Sequence, residues 1–218
     1  MIVYVLENTV TSVGDHFAQP QQFKISNEAR LQREIKKILS KKTVSVFKIM
    51  DEIQDQLRSL KPTKYSDRNK VFCCDYCELF DDKAKALSNV ETIYIDPPYT
   101  NAHYSRFYHI LETLVLYDYP GIEYFGRYRS DRYQSPFCIR SEAFDEFSKM
   151  ISLCSKSKKK LFISYSDTSQ CILKKEEIIS IAQKYYGNVQ VKEIDYLYRN
   201  FGQRPNKVKG NELLIICK

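Results

Sequence analysis

The chain has 218 residues, 43% of them hydrophobic, enough to bury one sizeable core and to point to a single domain. Its 34 Lys and Arg outweigh 27 Asp and Glu for a net charge of +7, which favours an anionic partner such as nucleic acid. No run of about 18 apolar residues offers a membrane span, and Met1 to Glu7 lacks a basic n-region and a small-residue cleavage site, so the protein reads as cytoplasmic, with no membrane partner.

Ser26 to Lys42 and Thr43 to Leu60 read as two amphipathic helices. Leu31, Ile35, Ile38 and Leu39 form one apolar stripe, and Val46, Ile49, Met50, Ile53 and Leu57 form the other. Lys61-Pro62 stops the second helix. Lys70 to Cys74 reads as a short strand, Cys77 to Leu87 as a helix and Glu91 to Ile95 as a strand. Cys73, Cys74 and Cys77 invite a zinc reading, but no second C-x-x-C pair follows at knuckle spacing. Small core thiols are the expectation and a metal site is not. The total of seven cysteines, an odd number, fits reduced thiols.

Ser105 is placed to cap a helix with Phe107, Ile110, Leu111, Leu114 and Val115 as its apolar positions. Gly121 to Arg140 has no clear period and reads as a long excursion. Ser141 is placed to cap a helix running to about Ser155, with Phe144, Phe147, Met150 and Ile151 inward. Lys160 to Tyr165 reads as a buried strand, Lys174 to Tyr186 as a helix, and Val189 to Tyr198 and Glu212 to Cys217 as the last strands. Strands alternating with helices imply an α/β sheet with parallel pairs. The connection Arg199 to Gly210 is too short for a helical crossover, so the final two strands are expected as an antiparallel hairpin.

The apolar run Ile93-Tyr94-Ile95 leads directly into Asp96-Pro97-Pro98-Tyr99. The prolines fix φ and remove two N–H donors, which stops the strand and leaves carbonyls as acceptors. A carboxylate, two carbonyls and an aromatic ring at one rim of a sheet suit a flat base bearing an exocyclic amino group. Such an amine is a poor nucleophile because its lone pair is delocalised into the ring. Two well-placed acceptors would localise that pair on the nitrogen, by positioning and electrostatics rather than covalent catalysis.

This motif resembles the Asp-Pro-Pro-Tyr of the adenine-N6 DNA methyltransferases, which use S-adenosylmethionine. The resemblance implies Asp96 and Pro97 as acceptors of the N6 amino group, Pro98 as the turn former and Tyr99 as the stacking platform for a flipped base. It implies an incomplete Rossmann-like sheet, mostly parallel, with a C-terminal antiparallel hairpin and preceding helices. Asp75 matches the family's acidic residue that contacts the cofactor adenine, although the same residue also suits a helix N-cap.

Arginines and aromatics interleave between Ile122 and Arg140, where Arg127, Arg129, Arg132 and Tyr128 are the expected DNA contacts. The loop from Arg199 is a second candidate, through Arg199, Asn200 and Arg204. The family's Phe-x-Gly-x-Gly turn is absent: the chain has six glycines and no G-x-G. Resemblance therefore covers about Lys70 to Lys218. Residues 1–63 read as a helical segment, remnant of a missing cofactor-binding half, and 64–218 as the catalytic region with a DNA-contacting insertion near 121–140. A split enzyme completed by a chain carrying the glycine motif, a truncated remnant and an unconventional cofactor site all remain open. The competing functions are a catalytically silent DNA-binding fragment and an RNA or protein-amide methyltransferase.

Overall fold

The computed structural model describes residues 28–60, 69–81, 87–123, 128–198 and 208–218. They fall into two compact units, one formed by the described residues up to Val71 with Ser105–Arg132, the other by Phe72–Tyr104, 133–198 and 208–218. No helix among the described residues is long and apolar enough to cross a membrane.

The first unit holds α1 (Glu28–Lys42), α2 (Val46–Ser59), α4 (Ser105–Leu116) and a short antiparallel hairpin of β2 (Ile122–Glu123) and β3 (Tyr128–Arg129). Ser45 caps α2, its side chain accepting from the Lys48 N–H. The expected apolar stripe of α2 is buried at Ile49 and Ile53, while Ile35 and Leu39 of α1 remain exposed. In α4 the expected inward positions Leu114 and Val115 face solvent, and the buried residue is His109. The reason is the hairpin: Tyr128 packs on His109, which makes the Arg106–His109–Thr113 face the contact face.

The second unit is an α/β sheet in the order β1–β4–β6–β5, formed by β1 (Thr92–Ile95), β4 (Lys160–Asp167), β5 (Val189–Tyr198) and β6 (Val208–Cys217). β1 runs parallel to β4, while β4–β6 and β6–β5 are antiparallel. The C-terminal hairpin is as expected, and because it supplies two of the three pairings the described sheet is mixed. One sheet face carries Leu161, Ile163 and Tyr165 beside Leu213, Ile215 and Cys217 across the ladder. Against it lie Phe147, Ile151 and Cys154 of α5 (Arg140–Lys156) and Ile178 and Ile181 of α6 (Lys175–Tyr185), all fully buried. Each such aliphatic or aromatic side chain contributes roughly 1.5–3 kcal/mol by leaving water.

Four local expectations are corrected. Residues 69–74 form no strand, because no described segment pairs with them; Val71 is 97% exposed. The following helix, α3, is described as Tyr76–Phe80. Ser141 does not cap α5: the helix opens at Arg140 straight from a 3₁₀ turn at Pro136–Cys138, with the Ile139 carbonyl accepting from Glu142 and Ala143. The excursion after Gly121 is partly regular, through β2, β3 and that turn.

Candidate functional site

The Asp96-Pro97-Pro98-Tyr99 segment leaves β1 one residue beyond the last paired position, Ile95 opposite Ile163 of β4. Ligands of open α/β sheets bind outside the carboxyl ends of parallel strands, which is where this segment lies. Asp96 is exposed and Pro97 buried, and Pro98 and Tyr99 are half-buried. No described residue donates to the Asp96 carboxylate or to the Pro97 carbonyl. Both acceptors are therefore available to an incoming donor. The Tyr99 carbonyl, by contrast, accepts the Ile172 N–H at 2.8 Å, and Thr100 bridges Cys171 in an antiparallel step. The Tyr99 ring meets Tyr165 edge to face, centroids 6.1 Å apart. Burial, with added repulsion from Glu212, pushes the Tyr99 phenol above its ordinary pKa, so the ring stays neutral.

Beyond the motif, Thr100 Oγ1 accepts the Ala102 N–H and His103 Nδ1 accepts the Ser135 N–H at 3.0 Å. The first closes a local turn after Tyr99, and the second fastens it to the segment leading into α5. The turn between β4 and α6 was not legible as part of the site. It is wound around Cys171, whose thiol donates to the Ser166 carbonyl at 3.0 Å, and the Leu173 N–H donates to the Tyr165 hydroxyl.

Asp75 is the N-cap of α3: its carboxylate accepts the Cys77 N–H at 2.9 Å, and its own N–H donates to Glu78 Oε1 at 3.4 Å. Tyr76 anchors that helix on α5, donating to Glu146 Oε1 at 2.5 Å and resting on Phe137, with Lys149 over its ring. All seven cysteines are unpaired. Among the described residues no group of three or more His, Cys, Asp or Glu side chains is arranged to hold a metal ion.

The basic hairpin in the first unit corrects two expectations. Arg129 is buried, 4% exposed, with all five N–H donors engaged. Asp118 takes two at 2.7 and 2.8 Å, Asp131 two at 3.0 and 2.9 Å, and Thr113 Oγ1 one at 3.2 Å. These bonds raise the guanidinium pKa and hold both carboxyls below their usual range. Such a fork has no donor left for a phosphate. Tyr128 is likewise buried, its hydroxyl accepting from Arg106 and its ring lying near the guanidiniums of Arg106 and Arg132. A ring so enclosed is no platform for a base. Arg132, half-buried, is the expected contact that the hairpin leaves partly at the surface. Arg140, a further arginine of that stretch, is bound to Glu177. Arg127, Arg199, Asn200 and Arg204 lie outside the described residues.

The whole pattern has relatives. The D12 class N6 adenine-specific DNA methyltransferase family matches residues 50–186, which takes in β1, the Asp96 motif, β4 and α6. The chain is 28% identical over 192 residues to the modification methylase LlaI of Lactococcus lactis subsp. lactis, covering 86% of this chain and 28% of that protein. It is 36% identical over 98 residues to the type II methyltransferase M.FokI of Planomicrobium okeanokoites, covering 44% of this chain and 14% of that one. The chain thus spans less than a third of the length of either relative. No solved structure matches. With the motif at the carboxyl end of a parallel strand and the family match extending over more than half its length, the chain belongs to the D12 class N6 adenine-specific DNA methyltransferases.

Proposed function

We propose that this chain forms the base-binding part of an enzyme that methylates the N6 amino group of a flipped adenine in DNA. The carrying observation is the pair of unengaged acceptors, the Asp96 carboxylate and the Pro97 carbonyl, beside the braced ring of Tyr99. Asp96 and Pro97 would draw the amino hydrogens and localise the nitrogen lone pair, Pro98 would hold the turn, and Tyr99 would cover the face of the base. Extrusion of the base costs about a few kcal/mol, and stacking on a ring recovers about 1–3 kcal/mol of it.

The methyl donor that the family implies is S-adenosylmethionine, which when bound supplies an electrophilic methyl. This chain's residues fit only part of it. The Asp75 carboxylate caps its own helix and, at an exposed position, would also accept from an adenine amino group. For the methionine end the sequence has no glycine turn. A complementary chain, or a further part of the same protein, carrying that turn completes the site in this reading. The activity belongs to the assembly rather than to these 218 residues alone.

Asp96→Ala tests the reading. In an assembly that methylates DNA, loss of one oriented group should lower turnover at least about 10²-fold. Because Asp96 is exposed and makes no described hydrogen bond, stability should stay within about 0.5 kcal/mol. Near-normal turnover by Asp96→Ala would remove Asp96 from the chemistry.

A further inference from the structure

The strongest unexplained feature is the amount of structure devoted to one short turn. Residues 168–173 join β4 to α6, and two anchors of that turn lead back to Tyr99. The Ile172 N–H holds the Tyr99 carbonyl, while the Ile172 carbonyl accepts from Arg140 Nη1 at 2.8 Å. Arg140 is itself gripped bidentately by Glu177, at 2.7 and 3.1 Å, and Glu177 also accepts the Lys174 N–H at 2.7 Å. The Leu173 N–H donates to the Tyr165 hydroxyl at 3.2 Å, and the ring of the same tyrosine braces Tyr99.

An ion pair as exposed as Arg140–Glu177, with side chains 59% and 27% exposed, contributes little to stability. Its geometry nonetheless aims one guanidinium nitrogen at a backbone carbonyl 32 residues away. Upstream of Tyr99 the two prolines already restrict φ. Downstream, Thr100 and His103 tie the chain beyond the motif, and the turn adds the restraint on Tyr99 itself. A stacking ring needs just that, since a displacement of about 1 Å at a reacting group can cost on the order of 10²-fold in rate.

We infer that the β4–α6 turn is a clamp that fixes the attitude of the Tyr99 ring against the target base, with Arg140 and Tyr165 as positioning residues. This rests on the proposed base-binding role of Tyr99. Arg140 acts through Ile172 on the Tyr99 carbonyl. Tyr165 acts twice, through its ring directly and through its hydroxyl by way of Leu173. Arg140, drawn into a basic and aromatic stretch by its sequence, thus serves the base without touching DNA.

The test uses the full methylating assembly and tritiated S-adenosylmethionine with unmethylated genomic DNA. Arg140→Gln, at an exposed position, should fold normally and lower kcat about tenfold with KM for DNA changed less than about twofold. Tyr165→Phe, which keeps the ring, should act in the same direction. In a Tyr99→Ala background Arg140→Gln should cost less than about twofold, because the ring it positions is gone. In the chain alone, Arg140→Gln should speed hydrogen exchange of the Ile172 amide and shift the ring resonances of Tyr99. An equal loss from Arg140→Gln with and without the Tyr99 ring overturns the clamp, as do unchanged Ile172 exchange and Tyr99 signals. Full activity of Tyr99→Ala instead overturns the base-binding reading beneath it, a separate outcome.

Discussion

Replacing Arg129 separates a binding arginine from a structural one. A phosphate-contacting arginine contributes about 0.9 to the slope of log affinity against log salt. Arg129 has all five donors committed to Asp118, Asp131 and Thr113, so its expected contribution is zero. Arg129→Ala should leave the slope unchanged to within about 0.2 when a labelled duplex is titrated over about 50–200 mM salt. The same change should be felt inside the unit. One guanidinium now neutralises two carboxylates, and its removal takes the cluster from a formal charge of −1 to −2. Asp118 and Asp131 would then repel across the β2–β3 hairpin, and the 2.8 Å bond from the Ser130 N–H to the Gly121 carbonyl should lose protection in hydrogen exchange. Arg129→Lys should not restore it, because a single ammonium cannot reproduce the planar fork. A slope that falls by about one unit while Ser130 stays protected would refute the structural role and return Arg129 to the DNA.

Phe147→Ala should destabilise the second unit by about 3–5 kcal/mol in urea denaturation, since the ring is fully buried and wedged edge-on between Phe137 and Tyr165; a loss under about 1 kcal/mol would mean that this core is not as packed as described. Burial pushes the Cys154 thiol up to about 12 and the Cys217 thiol up to about 11, so at pH about 8 iodoacetamide should label exposed Cys73 first and these two only on unfolding. Equal labelling in the folded state would contradict their burial. The hydrogen bond from Arg140 holds the Glu177 carboxyl below the usual range, a depressed folded-state pKa. Its stabilisation is therefore complete above the unfolded value of about 4.3 and lost as pH falls through the folded one. Acid titration should release the Ile172 amide to exchange, and Glu177→Gln should remove that pH dependence.

The sheet was legible wherever burial and strand propensity coincide. Ile93 and Ile95, partly buried, and Leu161, Ile163 and Tyr165, fully buried, turn toward the core, and both runs form strands. Where pairing rather than composition makes the strand, the sequence is silent. β6 begins at Val208, four residues before the expected start at Glu212, because Val208 to Asn211 are held by β5. The reverse holds at 70–74, where a strand-like run joins no sheet among the described residues. The Asp96 motif was legible because two prolines after an apolar run permit few structures. Its clamp was not, since Arg140 and Glu177 are 37 residues apart and nothing local marks them as a pair. The hairpin was misread for the same reason: an arginine reads as surface until the acids that enclose it, one of them 11 residues upstream, are placed.

The register of the last two strands has a mechanical consequence. β4 stops at Asp167, opposite Asn211, but β5 and β6 go on pairing for three more positions, to Tyr198 opposite Val208. At about 3.4 Å per residue they project roughly 10 Å past the end of their neighbour. Over that length the sheet is, among the described residues, a two-stranded ribbon, a form that twists more strongly than a wider sheet. Its geometry is that of a cantilever, so a small rotation at its foot would be magnified at its tip. Glu212, which adds to the raised pKa of Tyr99, sits at that foot. A cation bound near that foot would therefore be felt at the Tyr99 phenol.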